Sequence, residues 1–122
     1  MKEINGSCKL EKVGQVDIEN FQKLEEMLSI LSNKTRLAIL SVALEHKSVC
    51  ACELQPALGL EQPTVTTHLQ KLYVAGILEK KNEWRYTLYS IKNDYRSFIK
   101  RVIEKQMTAP FPDLGKDTIK QR

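Results

Sequence analysis

The chain has 122 residues, 42% hydrophobic and 28% charged, which suits one small globular domain and excludes a disordered chain. Its longest apolar stretch, around Leu37 to Leu44, is broken by Ser41 and falls far short of the ~20 residues that span a bilayer. Net charge is +4, with residues 1–60 at −1, residues 61–107 at +4 and the tail from 108 at +1, so an anionic partner is expected on the second half. Met1 to Gly6 has no hydrophobic run behind Lys2, so no secretory signal is expected. The three cysteines, Cys8, Cys50 and Cys52, cannot all pair within one chain. They are expected to be reduced thiols in a cytoplasm, where metal binding or redox chemistry is favoured over a structural disulfide.

Residues 1–16 are polar and charged and are expected to form a mobile arm. Ile18, Phe21, Leu24, Leu28 and Leu31 then recur at three- and four-residue steps, predicting a helix from Asp17, its N-cap, to about Ser29. Ser32 or Asn33 caps a second helix from Lys34 to about Glu45, apolar on most faces and therefore central. A short helix from Cys50 to Leu58 follows, ended by Gly59 in a left-handed conformation. Pro56 conflicts with it, because an interior proline removes a backbone hydrogen bond and is tolerated only in about the first turn. In the next helix Pro63 takes the first position, Val65, Leu69 and Leu72 form the buried face, and Gly76 is the stop. From Ile77 the period changes to two, predicting a hairpin that runs to Ile91 and turns at Asn82-Glu83, or through a longer loop. A last helix spans Asn93 to Met107, with Tyr95, Phe98, Ile99, Val102 and Ile103 on one face. The tail, 108–122, carries Pro110, Pro112 and Gly115 and is expected to be loosely ordered.

A short helix, a glycine-containing turn, a second helix and a hairpin follow the winged helix-turn-helix plan, a mainly α fold of about five helices and a two-stranded wing over residues 17–107. With Val65, Leu69 and Leu72 packed inward, the next helix face presents Gln62, Thr64, Thr67 and Lys71, flanked by Thr66 and His68. Such short hydrogen-bonding side chains suit base edges and phosphates in a major groove. Lys80, Lys81 and Arg85 on the hairpin would grip the neighbouring backbone or enter the minor groove. Taken alone, that charge cluster reads as a solvated turn; behind this helix pair, the DNA-binding reading is preferred.

Leu31-Ser32-Asn33-Lys34-Thr35-Arg36-Leu37-Ala38-Ile39-Leu40 resembles the opening of the second helix in ArsR/SmtB-family repressors. Gln62 to Leu69, with Leu72 and Ala75-Gly76-Ile77-Leu78, resembles that family's recognition helix. Asn33 and Lys34 stand where an acidic residue and a proline are usual, and Pro63 and Thr66 replace serines. The resemblance covers roughly residues 17 to 107. It implies a homodimer joined through the first and last helices, binding double-stranded operator DNA without membrane association. For the apolar stripes on those two helices, the bland reading is a core within one chain.

Ser48-Val49-Cys50-Ala51-Cys52-Glu53-Leu54 resembles the family's metal box in both cysteines, the acidic residue and the leucine, and departs at Ser48, Val49 and Ala51. Residues two apart in a regular helix point ~200° from each other, so this pair can converge only at a helix start. There the dipole and free N–H groups also favour thiolate. The resemblance implies arsenite or antimonite as inducer, or in related branches a soft divalent ion such as cadmium or lead, and no organic cofactor. Arsenite-type sites use three thiolates, which makes Cys8 on the arm the third candidate ligand, against a free thiol on a floppy arm. Two readings compete with metal sensing at Cys50 and Cys52: a redox switch, and small buried residues with no sensory role.

His46 could supply a nitrogen ligand but reads better as a surface residue closing a helix, and His68 reads as structural or phosphate-contacting. Asp94 and Glu104 alone do not make a second metal site on the last helix. A thiol metal-buffering module without sequence-specific DNA binding is the reading from another class. No catalytic triad, Cys/His pair or phosphate loop supports an enzyme.

Overall fold

Residues 12–113 are described in a computed structural model. In order they form a 3-10 turn (Ile18–Phe21), α1 (Gln22–Leu31), α2 (Lys34–Glu45), α3 (Ala51–Leu58), α4 (Gln62–Val74), β1 (Leu78–Glu83), β2 (Tyr86–Ile91) and α5 (Asn93–Thr108). Five α-helices and one antiparallel hairpin make a winged helix-turn-helix, as the order of sequence signals predicts.

The first helical segment starts at Asp17, whose carboxylate accepts the Glu19 N–H at 3.1 Å, but its first turn is 3-10 rather than α. Asn33 caps α2 through Oδ1, which accepts the Arg36 N–H at 3.0 Å. With Ile39, Leu40 and Ala43 fully covered, α2 is the hub of the core, touching α1, α3, α4, α5 and β2. Leu54 from α3, Val65, Leu69 and Leu72 from α4, Leu78 and Ile91 from the hairpin and Ile99 from α5 close around it. Each such side chain contributes about 1.5–3 kcal/mol by leaving water.

Gly59 ends α3 at φ 67°, where a side chain would be strained, and the Leu60 N–H folds back to the Gln55 carbonyl at 3.1 Å. Gly76 does the same after α4 at φ 87°, with Ile77 N–H on the Leu72 carbonyl at 3.0 Å. Pro56 departs from expectation. It lies in the second turn of α3, not the first, and the helix continues through it. The carbonyl that loses its partner belongs to the exposed Cys52, so water can supply the missing donor. Pro63 is the second residue of α4, still inside the turn where no N–H is needed.

The hairpin turn lies two residues later than expected. Glu83 pairs with Tyr86, leaving Trp84-Arg85 as a two-residue turn. The register is set at the far end, where the buried Leu78 faces the buried Ile91, and not by local turn chemistry. A third backbone segment joins the sheet. Val49 and Tyr89 exchange both backbone hydrogen bonds, at 2.8 and 2.7 Å, so β2 is paired on both edges.

Beyond α5, residues 109–113 have no regular structure but fold back on the helix end. The Phe111 N–H meets Gln106 Oε1 at 3.3 Å, and Lys105 lies 4.6 Å over the Phe111 ring. Among the described residues no single helix is long and apolar enough to cross a membrane.

Candidate DNA-binding face and cysteine pair

Helix α4 buries Val65, Leu69 and Leu72 and leaves Gln62, Thr64, Thr66, Thr67 and Lys71 exposed, as its pattern predicts. Thr67 donates its hydroxyl back to the Pro63 carbonyl at 2.9 Å, and Gln62 Oε1 accepts from Gln55 Nε2 at 3.3 Å, the second bond linking the start of α4 to α3. Lys80, Lys81 and Arg85 are exposed on the hairpin. Lys80 lies 4.3 Å over the ring of Tyr73, which ties β1 to the end of α4. Lys81 pairs with Glu83 at 3.4 Å in open solvent, a contact of little energetic weight.

His68 stands apart from the other α4 positions because it is half-buried. Its Nδ1 lies 3.1 Å from a guanidinium nitrogen of Arg36. A guanidinium only donates, so Nδ1 accepts and the ring proton sits on Nε2. Arg36 also donates from Nε to the Ile30 carbonyl at 2.6 Å, in the last turn of α1 where the helix dipole is negative. One buried guanidinium therefore joins α1, α2 and α4.

Burial, then the positive charges of Arg36 and Lys71, hold the His68 pKa below its ordinary 6.5. An unfolded chain takes up this proton first as pH falls below 6.5, so the neutral ring's contribution is complete above 6.5 and is lost as pH falls toward the lowered folded value. Chemical denaturation at pH 7.5 and pH 5 is expected to show a loss of stability in acid that is smaller in His68→Gln. Equal losses in both proteins would assign the acid sensitivity elsewhere.

Cys50 is the N-cap of α3, with extended backbone at φ −112° and ψ 163°, and Cys52 lies in the first turn. Leaving helical geometry at Cys50 brings the two Cα atoms to 5.3 Å and joins the sulfurs in a disulfide. The convergence expected of a helix start is present, whereas two free thiols are not. The expectation of reduced thiols came from compartment alone, and the local backbone allows the bond. Glu53 accepts the Cys50 N–H at 3.0 Å, so its carboxylate is engaged on the backbone. Cys50 is buried, while Cys52 is exposed.

Among the described residues no three His, Cys, Asp or Glu side chains are grouped to hold a metal ion. Once reduced, the pair offers a soft ion two sulfur donors from one helix start. A third must come from elsewhere, and Cys8 lies outside the described residues.

The cysteine pair and several of the expected DNA contacts share one cleft of about 260 Å³, lined by Cys50, Cys52, Gln62, Thr66, Arg85 and Thr87 among others. Val49, next to Cys50, is the residue that clamps β2. The sequence pattern missed that clamp, and it also missed Trp84 and Tyr86 as exposed aromatics of the hairpin. Val49 is β-branched and stands beside the helix start, the one local hint of an extra strand residue.

The described residues also expose apolar side chains in two rows. Ile18, Phe21, Leu24 and Leu28 line the first helical segment, and Phe98 and Val102 lie on α5, whereas Ile99 faces the core. A core within one chain therefore accounts for only part of either stripe.

Residues 33–80 match the family model described as bacterial regulatory protein, arsR family. An uncharacterized HTH-type transcriptional regulator of Methanocaldococcus jannaschii is 34% identical over 88 residues, covering 71% of this chain and 99% of that protein. The arsenical resistance operon repressor of Escherichia coli K12 is 27% identical over 79 residues, 65% of this chain and 68% of that one. Among solved structures, the homodimeric winged helix-turn-helix DNA-binding domain of Mb0332 from Mycobacterium bovis superposes with a TM-score of 0.65 at 21% identity, covering 83% of this chain and 97% of that one.

Proposed function

This chain belongs to the ArsR family of winged helix-turn-helix transcriptional regulators, a non-enzymatic DNA-binding family, and from that premise we propose a metalloid-released repressor. Two copies joined through α1 and α5 bind a palindromic operator, each α4 entering a major groove about one helical turn from the other. Gln62, Thr64, Thr66, Thr67 and Lys71 face the DNA, and Lys80, Lys81 and Arg85 hold the flanking backbone. His68, tied to Arg36 through Nδ1, keeps its Nε2–H for a phosphate. The inducer is arsenite, antimonite, or a soft ion such as cadmium or lead, held by Cys50 and Cys52 with Cys8 as third donor. The similarity to the arsenical resistance operon repressor of Escherichia coli favours an arsenical inducer.

The cleft shared by the cysteines, α4 and the wing carries this reading. Any group seated on the two sulfurs alters the start of α3, the N–H held by Glu53 and the Val49 clamp on β2, all within one residue of the DNA-facing cleft or lining it. By linkage, an inducer that releases DNA must bind the free protein more tightly than the bound one.

The disulfide favours a second reading, in which oxidation of the same pair is the signal. The two readings exclude each other at any moment, because a bonded pair has no thiolate to offer. Operator DNA is first selected from a random pool by the reduced protein. Arsenite or cadmium is then expected to release the wild type and not Cys50→Ser/Cys52→Ser, with Cys8→Ser lowering inducer affinity. Release by diamide and not by either ion would replace the metalloid reading by the redox one. Failure of the reduced protein to select any sequence would remove both.

A further inference from the structure

The hairpin tip carries a residue that the fold itself does not favour. Trp84 occupies the first position of the two-residue turn at φ 64°, a conformation in which glycine or asparagine is usual and a bulky side chain is strained. Its indole is 88% exposed, the highest value among the exposed large apolar side chains, so burial does not offset that strain. Its one described contact is with Arg85, whose guanidinium lies 5.1 Å from the ring. Folding therefore gains nothing visible from tryptophan here.

The position explains the choice. Arg85 lines the cleft that also holds Gln62 and Thr66, so the tip stands beside the start of α4, the end that faces DNA in the function proposed above. Pairing across the hairpin puts Glu79, Lys81 and Glu83 on one face and Lys80 and Asn82 on the other. Lys81 holds Glu83 and Lys80 lies over Tyr73, which leaves Arg85 as the cation beside the indole. A flat apolar ring with a guanidinium alongside it matches a nucleic-acid groove, whose sugars and base edges are apolar and whose rim is phosphate.

We infer that Trp84 is an apolar wedge of the wing, packing its indole into the DNA minor groove next to the major groove read by α4, with Arg85 placed alongside it. This rests on the DNA-binding reading and adds a residue that sequence patterning did not single out. The chain has one tryptophan, so intrinsic fluorescence reports this side chain without a label. With the selected operator, the wild-type indole is expected to become shielded from acrylamide, and netropsin, a minor-groove ligand, to reverse the shielding. Trp84→Gly relieves the positive φ and should melt no lower than wild type, yet bind the operator about tenfold more weakly or worse. Trp84→Phe should recover part of that loss. An indole equally open to acrylamide with and without saturating operator, or undiminished binding by Trp84→Gly, overturns the wedge while leaving the repressor reading intact. Wild-type protein that binds no duplex would remove the repressor reading and the wedge with it.

Discussion

Arg36→Met is expected to lower the stability of the fold by about 3 kcal/mol, since it removes two hydrogen bonds from a charged donor at roughly 1.5–3 kcal/mol each and leaves both acceptors behind. For a domain of this size the melting temperature should fall by about 10 °C or more. The two acceptors are the Ile30 carbonyl and His68 Nδ1, so the loss separates α1 and α4 from the hub helix together. Removing a buried charge from its desolvated site works in the other direction. It is expected to be the smaller effect here, because the dipole of α1 already favours a cation at that point. Arg36→Lys should recover little, because an ammonium on a flexible stem does not hold two acceptors in the fixed fork of a guanidinium. His68→Ala removes one bond and should lose roughly half as much. A urea midpoint unchanged in Arg36→Met would mean that desolvation of the guanidinium cancels both bonds.

This junction marks the boundary of what the chain's local chemistry could disclose. Asn33, Gly59 and Gly76 act within their own turns, so their roles as cap and stops are readable from neighbours alone. Val65, Leu69 and Leu72 are equally readable, since helical spacing alone aligns them. Arg36 and His68 are 32 residues apart, and no periodicity links them until α2 and α4 are packed. The position of the hairpin turn is likewise set by contacts distant in sequence. Asn82 is the better turn residue, but the pairing of Leu78 with Ile91 and the Val49 clamp on Tyr89 fix the register from the other end and push Trp84 to the tip.

At the cysteines the legible part was geometric and the illegible part chemical. Two residues apart, they can meet only if one abandons helical dihedrals, and Cys50 does so as the N-cap. Whether the sulfurs meet each other or a third group depends on oxidant and ligand, which spacing does not encode. Pro56 is a similar case. Its conflict with the helix is real, but the carbonyl it strips is at an exposed position, where solvent makes the loss tolerable.

Leu24→Glu with Leu28→Glu is expected to turn the protein into a monomer and weaken operator binding by about 100-fold or more, the advantage that linking two half-sites confers. Both leucines are exposed on α1, in line with Phe21 and Ile18, so acidic replacements leave the chain's own core intact. Helical circular dichroism should therefore be unchanged while sedimentation shows half the mass. In a dimer formed through this stripe, each carboxylate would lose water without gaining a partner, which strongly opposes association. Val74→Glu is the matching control, because this valine is also exposed but lies on α4 and belongs to neither row. It should remain dimeric. If the α1 double variant stays dimeric too, the stripe is not the seam, and Phe98 and Val102 on α5 are the next positions to replace. If it is monomeric yet binds as tightly as before, operator recognition does not need the second half-site, and the spacing of two α4 helices would play no part in specificity.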